Sequence, residues 1–291
     1  MFFVIQFGLD RLLDNRFACN NIWYKIYHAS LNTDIAILGN SRAQAHYNPE
    51  VITGATHLDS YNLGVSGTTL NILKIRWQSY INRNKLPKIL IIDVDYNLLG
   101  TANTFFEKLQ YLPYVNEEEY TNVAKQLDKN YLLEKYVPLY KYRGFEMGVY
   151  SQIKSLVKAD CSNYINGFII NENKWDEQDW DTFETKRLNE TVDAKYFNTM
   201  YENGVEELRT ILKFFNKNNI QVHLIWSPQY YKVHAFKINQ RQYVDSLLTK
   251  IAKDYKVNYV NFSNDSLVYS KANFYNHSHL NKHGADLFSK K

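Results

Sequence analysis

Asp34-Ile-Ala-Ile-Leu-Gly39-Asn40-Ser41-Arg42 is the stretch on which the fold turns. A short, unbroken apolar run between an aspartate and a glycine lacks the alternation of a half-exposed strand. It describes a strand covered on both faces, as in a parallel sheet. Gly39-Asn40 closes the strand, and Ser41-Arg42 turns into a helix through Ala43 to Ala45. Pro49 fits the start of a second helix.

The same strand-then-helix order continues downstream. His57 to Asn62 predicts a short strand ending in Leu63-Gly64, and Thr68 to Ile81 an amphipathic helix with Ser66 or Thr68 as its cap. Lys88-Ile-Leu-Ile-Ile-Asp-Val-Asp95 is the clearest strand in the chain. From about 100 to 195 the pattern changes to a stretch rich in Tyr, Lys, Glu and Trp, with two or three short helical patterns and no buried strand. Its aromatic content implies packing, so it reads as an insertion and not a linker. A helix over 202–218, strand Gln221 to Trp226, a helix over 239–255, strand Val257 to Phe262 and a last helix from near Asn281 complete the alternation. The expected fold is a three-layer α/β/α domain over 31–291, with a parallel, flavodoxin-like five-stranded sheet and a helical, aromatic-rich insertion. An N-terminal helix, roughly 4–30, precedes it.

Composition agrees with one such domain. The chain has 291 residues, 45% hydrophobic and 22% charged, which is a globular balance and excludes a disordered chain. The 34 basic and 30 acidic residues leave a net charge of +4 with no basic stripe, which argues against a nucleic-acid partner. Glu117 to Glu119 is the densest acidic patch and reads as a solvated helix start. The 24 Tyr, 16 Phe and 5 Trp fill cores and surfaces more readily than they line a carbohydrate cleft. Cys19 and Cys161 have no metal-ligand spacing and pair only if the fold brings them together. The opening MFFVIQFGLDRLL is far short of the ~20 apolar residues of a membrane span and lacks a signal-peptide pattern. Two readings stand for it: an amphipathic first helix, which is favoured, or the tail of a longer anchor, with membrane association through the N-terminus.

Parallel sheets carry their sites at the carboxyl ends of their strands. Ser41 follows the first strand at a helix N-terminus, where backbone N–H groups favour a developing oxyanion; an ordinary N-cap serine is the bland alternative. Gly64 follows the second strand, either as an oxyanion N–H or as a turn glycine. Phe274-Tyr-Asn276-His277-Ser278-His279-Leu280-Asn281 precedes the last helix, where a histidine suits a general base. The spacing of His277, His279 and His283 is a weak metal pattern with no acidic or thiol partner, so neither metal nor cofactor is expected.

ILGNSRAQAHYNPEVI, YNLGVSG and FYNHSHLNKHGADLFS, in that order, resemble the SGNH/GDSL hydrolase superfamily, in particular its divergent branch associated with bacterial envelope and surface-polysaccharide loci. The resemblance implies Ser41 as nucleophile, Gly64 and the Ser41 N–H as oxyanion donors and His279 as base. Two positions depart from it. The third block lacks its Gly-x-Asn-Asp loop, leaving Asn97 as a candidate donor and Asp93 and Asp95 in structural or substrate-positioning roles. Asn276 stands where the family has an aspartate, so three readings remain open: a dyad steered by Asn276, an acid borrowed from elsewhere, or a lapsed site. Arg42 is a candidate for binding an anionic substrate group or for a salt bridge to Asp93 or Asp95; His46 reads as a packed surface histidine. The implied activity is a serine esterase or O-acyl(acetyl)transferase acting on an acylated carbohydrate or small ester, outside the cytoplasm. The alternative is a catalytically lapsed carbohydrate-binding or assembly protein on the same fold.

Overall fold

The computed structural model describes residues 1–14, 22–155, 161–188 and 190–291. In chain order the first part runs α1 (Phe2–Leu13), α2 (Ile22–Tyr27), β1 (Ile35–Leu38), α3 (Ser41–His46), α4 (Pro49–Thr56), β2 (Ser60–Asn62), α5 (Leu70–Arg83) and β3 (Ile89–Asp93). The insertion follows with α6 (Glu118–Leu127), α7 (Tyr131–Tyr136), α8 (Glu146–Ser155), the hairpin β4 (Tyr164–Ile165) and β5 (Phe168–Ile169), and α9 (Glu177–Lys186). The chain then returns to the sheet through α10 (Phe197–Lys217), β6 (Gln221–Trp226), α11 (Ile238–Tyr255), β7 (Asn258–Asn261) and α12 (Lys282–Phe288).

The main sheet has the order β2-β1-β3-β6-β7, every neighbour parallel. The side chains of β1 explain its unbroken apolar run. Ala36 and Leu38 enter the core on one face, while Ile35 and Ile37 enter a second core on the other, with Phe274, Leu280 and Phe288. Helices cover both faces, so neither register of the strand meets water. This is the three-layer, five-stranded architecture expected from the sequence.

Four details differ from expectation. The N-terminal segment holds two helices where one was expected, with residues 15–21 outside the description, Cys19 among them. Helix α5 begins at Leu70 behind the N-cap Thr69, which makes no side-chain cap bond, so neither Ser66 nor Thr68 caps it. Glu119 is buried, not solvated: Arg83 Nη1 and Asn82 Nδ2 donate to its carboxylate at 2.7 and 2.8 Å. Among its described residues the insertion contains four α-helices and a hairpin that buries Phe168 completely. That hairpin turns on Asn166-Gly167, both at positive φ, a recognised hairpin dipeptide; its strands are too short for periodicity to reveal. The Asn166 carbonyl accepts the Asn62 N–H at 2.9 Å, so the turn covers the outer edge of β2. Among the described residues, no helix is long and apolar enough to cross a membrane.

Candidate active site

Gly39 makes the turn from β1 into α3. Its φ of +151° and a Cβ position 2.6 Å from the Ala43 methyl exclude any side chain there. Asn40 then caps α3, its Oδ1 accepting the Arg42 N–H at 3.0 Å. The turn sets Ser41 at the first position of the helix, above the carboxyl end of β1. Its backbone N–H belongs to the first turn, which has no intrahelical acceptor.

Across from it, the loop between β7 and α12 brings His279 Nε2 to 2.9 Å from Ser41 Oγ. On the far side of the ring, Nδ1 lies 3.1 Å from Asn276 Oδ1. That oxygen also accepts the N–H groups of Ser278 and His279, at 3.0 and 2.8 Å, which fixes the amide with its carbonyl toward the ring. Nδ1 must therefore carry the proton, and Nε2 presents its lone pair to the Ser41 hydroxyl. Burial, then the positive Arg42 and the neighbouring His277, push the imidazole down to about 4, so it is neutral near pH 7. Tyr275 stacks on the ring, with centroids 5.5 Å apart and planes 8° from parallel.

The cleft above this pair has a volume of about 380 Å³. Its wall consists of polar and charged side chains and one glycine, among them Thr68, Thr69, Asn97, Gln229 and Ser278; no aliphatic side chain takes part. Asn97 sits exposed on it and donates from Nδ2 to Asp95 Oδ2 at 3.1 Å. Gly64 does not line the cleft. Its N–H goes to Asn62 Oδ1 at 2.9 Å, and a Cβ there would stand 2.7 Å from the Gln44 nitrogen. Gly64 thus serves close packing of the β2 loop on α3, which corrects the expectation that its N–H faces the substrate. Arg42 is buried under the cleft at 3% exposure, 3.1 Å from Asp95 Oδ2 and 3.9 Å from Asp93 Oδ2. The pairing is by charge without aligned hydrogen bonds, and its guanidinium nitrogens are inaccessible. This favours the salt-bridge reading over contact with an anionic substrate.

Beneath the cleft lies a polar relay that the sequence did not reveal. His46 is not a surface residue but completely buried. Its Nε2 accepts the N–H of Leu280, next to His279, at 3.1 Å. Its Nδ1–H therefore donates to Ser227 Oγ at 2.9 Å, and that hydroxyl donates to Asp93 Oδ2 at 3.0 Å. Ser227 follows β6, so inspection of that strand end was the missed signal. Burial, opposed by Arg42, raises the Asp93 carboxyl to about 6, and burial, with neighbouring His279 and the charge of Arg42, holds His46 well below its ordinary value.

The other two histidines of the cluster diverge. His277 Nδ1 pairs with Asp179 Oδ2 of α9 at 2.6 Å, and His283 is exposed on α12. Asp179, the nearest candidate for a borrowed acid, thus engages His277; the partner of His279 is Asn276. Among the described residues, no group of histidine, cysteine or carboxylate side chains has metal-binding geometry.

No protein-family model matches the sequence, and no curated protein matches it. Solved structures similar in fold include a protein from Desulfitobacterium hafniense DCB-2, provisionally assigned as a lipolytic protein of the G-D-S-L family. The two share 11% identity at a TM-score of 0.42, over 88% of this chain and 96% of that one. A Streptococcus pneumoniae protein, provisionally assigned as a platelet activating factor, shares 11% identity at a TM-score of 0.48, over 94% of this chain and 87% of that one. The strand order β2-β1-β3-β6-β7, all parallel between helical layers, is the flavodoxin-like α/β/α arrangement expected from the sequence.

Proposed function

We propose that this chain is a serine-dependent esterase or O-acyltransferase for short acyl groups carried on polar molecules such as envelope or surface glycans. The observation that carries the reading is the 2.9 Å contact between Ser41 Oγ and a His279 Nε2 whose tautomer leaves its lone pair facing the hydroxyl. Ser41 Oγ attacks the ester carbonyl while its proton passes to His279 Nε2. The tetrahedral oxyanion is held by the Ser41 N–H, with the Asn97 amide as second donor once it turns from Asp95. Collapse expels the alcohol, which takes the proton from His279, and leaves an acyl-Ser41 ester. Water then makes the chain an esterase; a sugar hydroxyl makes it a transferase. Among the described residues no aliphatic side chain lines the cleft, which suits a short acyl group on a polar carrier better than a long hydrocarbon chain.

Asn276 and the engaged Gly64 N–H favour a second reading, an SGNH-type fold that binds acylated carbohydrate without turning it over. Asn276 orients the base but adds no charge to stabilise an imidazolium; in the serine-protease triad the same loss costs about 10⁴ in rate. The two readings separate by turnover of p-nitrophenyl acetate and of an acetylated glycan. The esterase reading expects slow turnover and labelling by a fluorophosphonate, both lost in Ser41→Ala, with Asn276→Asp raising the rate at least about tenfold. No turnover in wild type or in Asn276→Asp leaves the binding reading.

A further inference from the structure

Helix α1 has its polarity reversed with respect to the protein. Its polar residues, spaced by four, face inward. Gln6 is buried and accepts the Leu139 N–H at 2.6 Å; Asp10 holds the Lys141 ammonium at 2.7 Å; the cap residue Asp14 accepts the Tyr114 hydroxyl at 2.6 Å. Most of its apolar residues face out, with Phe3 65%, Val4 73% and Phe7 60% exposed, while Leu9 and Leu13 pack partly buried against the core. An ordinary surface helix does the opposite, because apolar area gains by leaving water. The exposed apolar side chains Met147 and Tyr150 of α8, which packs directly on α1, add to it; α7 exposes Leu132, Leu133 and Tyr136 just before Leu139, whose N–H meets Gln6 of α1. Patches of this kind mark interaction sites.

The charges around this face are also sorted. Arg11 lies over the Phe7 ring at 5.2 Å and Lys135 by the Tyr136 ring at 5.8 Å, while Lys154 follows Tyr150 by one helical turn. Neighbouring acids turn inward, Asp10 to Lys141 and both Asp128 and Glu134 to Lys108. Glu146 remains outward and accepts the Gly144 N–H at 2.9 Å. Apolar side chains interleaved with outward cations match an anionic lipid surface, in which rings enter the headgroup boundary and cations meet phosphates. A two-fold contact with a second copy would instead set these cations against themselves.

We infer that α1, together with the outer faces of α7 and α8, lies on an anionic bilayer surface. The inference is independent of the catalytic reading. Its test is sedimentation of the full chain with phosphatidylcholine vesicles, with and without added phosphatidylglycerol. The chain is expected to bind the anionic vesicles. Phe3→Ser/Phe7→Ser should weaken that binding at least about tenfold with the unfolding midpoint unchanged, and Arg11→Glu/Lys135→Glu about fivefold for each reversed charge. Absence of wild-type binding overturns the inference. So does binding that survives the double serine variant, since charge alone would explain it. A concentration-dependent dimer abolished by that variant assigns the face to a second copy.

Discussion

His46 and Ser41 occupy opposite ends of the same short helix, and each meets the loop bearing His279 at a different point. Ser41 meets the His279 ring, and His46 meets the adjacent Leu280 N–H. Only a neutral His46 does this, because protonation of Nε2 would set a donor against a donor. Gln has an oxygen and a nitrogen near the two ring nitrogens, and Leu has neither. His46→Leu is therefore expected to lower kcat with little change in KM, and His46→Gln to recover much of it. Equal losses in both variants, with stability falling in step, would reduce His46 to a packing residue. The residue-scale site was legible where chemistry follows chain order. Ser41, Asn276 and His279 stand at a strand end and in a loop, where a lone polar residue has few structural duties. His46 was not legible, since a histidine on a short helix gives no sign of which side of it is buried.

Helix α9 shows what an inserted element does for the site. Its start is tied to the loop bearing His279 by the Asp176 N–H, donated to the Tyr275 carbonyl at 3.0 Å. Further along it, Asp179 pairs with His277, and the buried Phe183 stacks on the same ring at 4.0 Å. The insertion thus clamps the loop that carries His279. Phe183→Ala removes the stack and opens a cavity, with an expected loss of about 3 kcal/mol. Amide exchange should quicken selectively over residues 275–280; uniform quickening over the whole chain would contradict a local clamp. At this scale strands and helices of the main sheet were readable from apolar runs, β6 to the residue and the others to within a few positions at each end. The insertion was not, because its packing rests on aromatic contacts between segments far apart in sequence, such as Trp23 with Tyr111 and Phe105 with Tyr120.

The whole molecule buries several groups in protonation states that acid disturbs. His279 and His234 are pushed to about 4, chiefly by burial, and His46 lies well below its ordinary value. Between about pH 6.5 and 4 the unfolded chain binds protons at these positions that the native chain refuses, so stability falls as pH drops through that window. Asp93, raised to about 6, acts in the opposite sense: its contribution is complete below the ordinary carboxylate value and fades as pH rises through 6. These three histidines, with His223 lowered in the same sense by burial, against one raised carboxyl give a net loss. The thermal midpoint should be lower near pH 4.5 than at pH 7, by scanning calorimetry; a level midpoint would mean that the imidazoles are accessible to protons in the native state.

Local order was decided by the chain itself: apolar runs long enough to be strands, the glycine that only an unhindered turn accepts, and the polar residues left at strand ends. These are properties of neighbours in sequence, which bonded geometry and burial on two faces constrain directly. Which polar groups meet was decided only on folding. Ser41 lies 238 residues from His279, and His46 lies 181 from Ser227; hydrogen bonds over such separations depend on how helices and loops pack above the sheet. The same packing took the Gly64 N–H for Asn62, turned the polar face of α1 inward, and left Ser41 and His279 facing one another in an open, polar cleft.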